Sequence, residues 1–295
     1  MRIFKQTWRT LSIVGALGAV QSQAATIQWI HTGGTGEWST ASHWDLQVPG
    51  ANDTAMLVTN TDHAQVTSTV DSGNMNIVIR NNATLTIAAN FRTAFRMDIG
   101  ISGIQDTSVT QTDGLLIGRT LNLGDDGEAD TFEAKYSISG GTSRWTTAVN
   151  IEKNGILDIV GNAATLQFNN GGASAVNMGE GILSYTLAAG GVSAIDNLGS
   201  GGTFTIGENS GLQIDASSYN GGAGTIALVQ RYATISGAFH ADNIKISGLA
   251  DGLSGEITYD TGNVYLKVTA VPEPSTSGML GIGASLMLLR RKRRG

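Results

Sequence analysis

The strongest constraint on this chain is a series of short stretches in which every second residue is apolar. They include Ile77-Val78-Ile79, Thr84-Leu85-Thr86-Ile87, Ile156-Leu157-Asp158-Ile159, Thr165-Leu166-Gln167-Phe168, Leu212-Gln213-Ile214-Asp215 and Val264-Tyr265-Leu266-Lys267-Val268. A period of two places one row of side chains against a core and the other in water, which is the signature of half-buried strands. The stretches are bounded by Asn81-Asn82, Asn154-Gly155, Gly161-Asn162, Asn169-Asn170-Gly171-Gly172, Glu208-Asn209-Ser210-Gly211 and Thr261-Gly262-Asn263. Asn and Gly tolerate the positive φ that tight turns require. No proline stands between Ala51 and Val271, and no amphipathic helix of ten or more residues is legible there. The body is therefore expected to be all-β.

Phrases built as Asn or Ser, Gly, then Leu and Ile two residues apart recur at Asn154–Ile159 and Ser210–Ile214, and more loosely at Asn82–Ile87. Repetition with an irregular period near 20 favours a parallel β-helix, in which each rung stacks its apolar residues on the next. An antiparallel β-sandwich is the alternative, because short strands at close spacing also suit it.

The first part of the body reads differently. Trp29, Trp38 and Trp44 are three of the five tryptophans, and His31 and His43 lie among them. Such a cluster could stack on sugar rings. The preferred reading is an aromatic plug over the open end of a solenoid, whose first rung otherwise exposes its core. The organisation expected is thus a signal segment over 1–24, a Trp-rich cap over 25–60, a β-solenoid over 61–270 and a tail over 271–295.

Both ends look like routing segments. Met1–Ala24 has a basic start (Arg2, Lys5, Arg9), an apolar run from Leu11 to Val20, and small residues at Ser22 and Ala24. This is the pattern of a secretory signal peptide cut after Ala24, and the apolar run is short for a retained membrane helix. At the other end, Val271-Pro-Glu-Pro-Ser275 breaks secondary structure. Gly278–Leu289 carries no charge, and Arg290, Arg291, Lys292, Arg293 and Arg294 follow. Taken with flanking residues, the apolar stretch makes a short transmembrane helix, and the five cations act as a stop-transfer signal. The plain reading is an unprocessed single-span anchor.

The order of Pro272, Glu273 and Pro274, a short Gly/Leu-rich span and a terminal arginine cluster resembles the PEP-CTERM sorting signal. The resemblance covers the last 24 or so residues. It implies recognition and cleavage near Pro-Glu-Pro by an exosortase-type processing enzyme. It also implies an inner-membrane-anchored precursor, whose body passes to the outer surface or the exopolysaccharide matrix of a Gram-negative bacterium. The stretch from Gly36 through Trp38, Trp44 and Pro49 to Asp53 resembles the opening of autotransporter-associated β-strand repeat proteins, a likeness that implies a β-helical body and carries over no site residues.

Charge and composition exclude several classes. With the two ends set aside, ten Lys and Arg remain against 23 Asp and Glu, Glu273 belonging to the tail. So acidic a body does not bind nucleic acid or an anionic membrane by charge. With no cysteine, it holds no disulfide and does no thiol chemistry.

Candidate chemistry is sparse. Asp125, Asp126, Glu128 and Asp130 crowd one glycine-flanked loop that could attract calcium, but their spacing matches no calcium-loop pattern, and a solvated acidic loop is the expectation. His31, His43, His63 and His240 show no zinc-ligand spacing, and Asp45 lies two residues from His43. Arg92, Arg96 and Asp98 are the charged residues a polysaccharide-cleaving β-helix could use. Two functions follow: a non-catalytic exported surface or matrix protein, without cofactor or metal, or a lyase or glycosidase on the same scaffold. A uniform Ser/Thr/Asn face favours the first, and convergent carboxylates with Lys or Arg in a groove favour the second.

Overall fold

The computed structural model describes residues 24–92, 95–125, 132–168, 175–199 and 201–272. Nearly all regular structure among them is strand. The exceptions are two single-turn 3₁₀ segments, Ala41–His43 and Ala241–Asn243.

The chain winds as a parallel β-helix with three faces. On the first face, Thr54–Leu57 pairs with Asn76–Ile79, which pairs with Arg96–Ile99, and the column continues to Thr203–Ile206 and Thr234–Ser236. The second face runs from Gly36–Glu37 and His63–Val66 through Thr84–Ile87, Thr107–Gln111, Ala134–Ile138, Gly155–Val160 and Ile182–Thr186 to Gly211–Asp215 and Ile244–Ser247. The third begins at Val70–Asp71 and Phe91–Arg92 and ends at Gly224–Gln230. All of these pairings are parallel, which a sandwich of hairpins does not give. Two long strands, Leu115–Leu123 and Gly141–Ile151, turn the corner from the third face of one coil to the first face of the next.

Alternation decides what goes inside. Asn76–Ile79, Thr84–Ile87 and Ile182–Thr186 each alternate between buried and half-buried positions. Down the second face, Leu85, Val109, Tyr136, Leu157, Leu183 and Leu212 stack in register, each 0 or 1 % exposed. Asn81, Asn82 and Asn154 take φ of 57°, 66° and 65° at the turns, the left-handed conformation their short polar side chains tolerate. Gly118 serves packing instead: a Cβ there would come within 2.2 Å of the Trp145 ring in the next coil.

One buried polar network interrupts the apolar interior. The Tyr136 hydroxyl donates to Gln111 Oε1 at 2.6 Å and meets Ser143 Oγ at 3.0 Å, and Trp145 Nε1 donates to the same Ser143 oxygen at 3.0 Å. Gln111 Nε2 donates to Thr142 O at 3.1 Å. Burial pushes the Tyr136 phenol well above its usual range, so it stays protonated and able to donate.

Both described ends are closed. At the start, Trp29, Trp38 and Trp44 are at most 3 % exposed and meet nearly edge to face, with centroids 4.9 Å apart for Trp29 and Trp44 and 4.7 Å for Trp38 and Trp44. Trp38 also packs on Phe91 of the third coil at 4.9 Å. These tryptophans belong to the first coil itself, whose strands Thr26–Gln28 and Gly36–Glu37 pair in parallel with the second. At the far end the coil does not continue to residue 270. Leu253–Tyr259 and Val264–Ala270 form an antiparallel hairpin, and Val264–Ala270 lies antiparallel on Gly224–Gln230. Its reversal is made by Asp260, whose carboxylate accepts from Asn263 Nδ2 at 2.6 Å and from Gly262 N at 3.1 Å. The hairpin puts a reversed strand where a further parallel rung could have docked.

Truncating the stack should therefore cost far more than trimming the outer surface. Leu157→Ala is expected to lower the unfolding free energy by about 2–5 kcal/mol, and Thr86→Ala on the outward row to change it by no more than about 0.5 kcal/mol. Denaturant titration of both variants measures this, and equal effects would contradict the assignment of faces.

Candidate functional surface and sorting tail

The outward rows carry short polar side chains in vertical register. On the first face Asp98, Asn122, Asn150 and Asn177 align. Asn122 Nδ2 donates to Asp98 Oδ1 at 2.7 Å, Asn150 Nδ2 to Asn122 Oδ1 at 2.7 Å, and Asn177 Nδ2 to Asn150 Oδ1 at 2.9 Å. Each amide donates to the residue below it, and Asn122 and Asn150 also accept from the one above, so the row is a continuous hydrogen-bonded ladder. On the second face Gln65, Thr86, Thr110, Ser137, Asp158, Ser184 and Gln213 align in the same way. Strands stack about 4.8 Å apart, so these rows place one polar group per rung at a constant spacing, Asp158 alone among them being buried.

The corner between the first and second faces is less uniform. An open cleft of about 550 Å³ lies there, lined by Asp106, Glu133, Lys153, Asn154, Glu180 and Asn209 with Phe132, Ile156 and Ile182. A smaller one of about 160 Å³ shares Asp106 and Glu133 and adds Asn82, Thr84, Thr107, Ser108 and Lys135. Two of the carboxylates already serve the turns: Asp106 Oδ1 accepts from Glu133 N at 2.8 Å, and Glu180 Oε1 from Asn209 Nδ2 at 3.1 Å. Lys135 Nζ lies 2.8 Å from Asp158 Oδ2.

The residues singled out in the sequence separate. Arg96 and Asp98 come together, with Nε donating to Oδ1 at 2.6 Å at the foot of the asparagine ladder. Arg92 is on the third face, 3.9 Å from Asp71 and more than half exposed. His43 does not meet Asp45. Its Nδ1 lies 2.9 Å from Glu37 O, and Asp45 Oδ1 accepts from Gln28 N at 2.9 Å. The His43 ring stacks instead on His31, with centroids 4.1 Å apart. His63 Nδ1 meets Thr84 Oγ1 at 2.8 Å, and His240 Nδ1 accepts weakly from Asp242 N at 3.4 Å. Asp125 Oδ2 accepts from Ser102 N at 2.6 Å, whereas Asp126, Glu128 and Asp130 lie outside the described residues. No group of three or more potential metal ligands occurs among the described residues.

At the end of the body, Val271 N donates to Gly252 O at 2.8 Å, the last backbone hydrogen bond before Pro272. Glu273, Pro274, Arg290, Arg291, Lys292, Arg293 and Arg294 lie outside the described residues. Among the described residues no helix is long and apolar enough to cross a membrane. Residues 270–294 match the family model of the PEP-CTERM protein-sorting motif. That match marks the chain as an exported precursor sorted through its tail by an exosortase. Neither the curated proteins nor the solved structures give a match to this chain.

Neither the ladder nor the corner cleft was legible beforehand. Each ladder residue lies 24, 28 or 27 residues from the last, so no fixed period announces the row. Asn150→Ala removes both hydrogen bonds that residue makes in the ladder. It is expected to cost about 1–3 kcal/mol, against no more than about 0.5 kcal/mol for an outward residue beyond the ladder such as Thr205→Ala. Thermal unfolding of the two variants reads the difference.

Proposed function

We propose that the mature protein is a non-catalytic component of the cell surface or of an exopolysaccharide matrix, displayed after its tail is processed. The observation that carries this reading is the junction at Val271 and Pro272. The hairpin closes the coil where the matched sorting motif begins, and Val271 makes the last backbone hydrogen bond among the described residues. A cut near Pro-Glu-Pro then releases a body that keeps its hydrogen bonds and its core. Rows of Asn, Ser, Thr and Gln facing outward suit contact with hydroxyl-rich polymers, which are recognised by hydrogen bonds rather than by charge. The acidic balance of the body keeps it apart from nucleic acid and anionic lipid.

The second reading is a polysaccharide-active enzyme, and the corner cleft is what favours it. Asp106, Glu133 and Glu180 share that cleft with Lys153, the combination of carboxylates and cation that glycan cleavage draws on. Against it, Asp106 and Glu180 are engaged in turn hydrogen bonds.

Two experiments test the proposal. Alanine at Pro272, Glu273 and Pro274 together is expected to leave the precursor uncut and membrane-bound, seen as a full-length tail by mass spectrometry; unchanged processing would contradict the sorting role. The purified exported body is expected to release no reducing ends and no unsaturated products from acidic polysaccharides. Turnover that disappears in Glu133→Gln would establish the enzyme instead.

A further inference from the structure

Three carboxylates in the described body are almost wholly buried: Asp53 at 3 %, Asp62 at 2 % and Asp158 at 5 % exposure. Burying a carboxylate is costly unless hydrogen bonds or a cation compensate. Asp158 has Lys135 at 2.8 Å. Asp62 takes three local donors, Val58 N at 2.7 Å, Thr59 N at 3.0 Å and Thr59 Oγ1 at 2.6 Å. Asp53 is the poorly compensated one. It accepts from Gly50 N at 2.9 Å and from Ala25 N at 3.0 Å, and no Lys, Arg or His pairs with it among the described residues.

The second of those donors is the backbone nitrogen immediately after Ala24. Ala24 is exposed, while Ala25 is half buried and fixed from both sides, since its carbonyl accepts from Thr54 N at 2.8 Å. We propose that Asp53 is the receptor for the α-amino group created at Ala25 when residues 1–24 are removed. This rests on the reading of the chain as an exported protein with a cleavable leader. Hydrolysis of the Ala24–Ala25 amide by a signal peptidase consumes one water. It leaves a carboxylate on Ala24 and an amine on Ala25, which takes up a proton at neutral pH. A single amide N–H beside Asp53 thereby becomes an ammonium with three donors and a full positive charge, 3.0 Å from Oδ1 if the backbone stays in place. The pair joins the start of Thr26–Gln28 to the strand beneath it, Thr54–Leu57, and so fastens the outermost rung of the first face. Leader removal would then complete the fold as well as release the amino end of the body.

The test uses protein exported from the full-length gene. Its mass is read first, to establish the amino terminus. Acylation of the α-amine at pH 7 and thermal unfolding are then compared in three proteins: the unaltered sequence, Asp53→Asn, and a form with two residues inserted between Ala24 and Ala25. In the insertion form Ala25 N remains an amide and Asp53 is intact, so the comparison survives even if Asp53→Asn fails to fold. The expected result is a chain starting at Ala25 whose α-amine is acylated about tenfold more slowly than in either altered protein, as one unit of raised pKa would produce. Its melting temperature is expected to lie about 3 °C or more above that of the insertion form. Equal acylation rates and melting temperatures in a protein starting at Ala25 would overturn the pairing while leaving export intact. A chain starting elsewhere would overturn the proposal through its premise.

Discussion

Everything in this structure depends on the vertical stacking of coils that have no core of their own. A single turn of the helix offers two or three short strands and a handful of apolar side chains, too little to bury by itself. Leu85 is covered by Val109, Val109 by Tyr136, and Tyr136 by Leu157, while the parallel hydrogen bonds between rungs satisfy the backbone. Stability is therefore shared between neighbours, and each coil is only as secure as the two beside it. The terminal coils have one neighbour fewer, and the chain treats them differently. Three tryptophans fill the first coil, and an antiparallel hairpin lies across the last. The two closures use different physics: aromatic bulk covers a cross-section, whereas a reversed strand occupies a sheet edge.

The same stacking shapes the surface. Register is strict wherever one side of a strand is buried, because a slip of one residue would turn the core row outward. The outward row is held to the same register, so chemically similar residues fall into columns without contacting one another in sequence. The ladder from Asp98 to Asn177 results, and so does the Thr/Ser/Gln row on the second face. Insertions collect at the corners, where the chain leaves one face for the next, and the cleft around Glu133 and Glu180 lies there. Repetition on the faces and irregularity at the corners give a surface of regular polar columns bordered by local clefts.

Much of this architecture could be read from the residues. Alternation in Thr84–Ile87 and Ile156–Ile159 placed strands correctly, because a half-buried strand leaves its period in the sequence. The turn role of Asn81, Asn82 and Asn154 followed from the few residues that accept left-handed backbone. The closing hairpin did not follow. Val264–Val268 alternates like any rung, and only pairing with Gly224–Gln230 shows that it runs the other way. The ladder and the corner cleft were hidden for a related reason. The number of residues per coil varies, so residues that meet in space share no common spacing. Asp53 stood in view within the Trp-rich segment, yet its partner at Ala25 is 28 residues upstream and is a backbone nitrogen, which no motif marks.

The central claim is that a closed β-helix stands between two removable ends. The most direct measurement is the intact mass of the protein recovered from the outer surface or matrix of its native host. The account predicts one species, missing residues 1–24 at the start and ending near Pro272-Glu273-Pro274. A species retaining Met1 and the terminal arginines, or one shortened inside a coil, would contradict it.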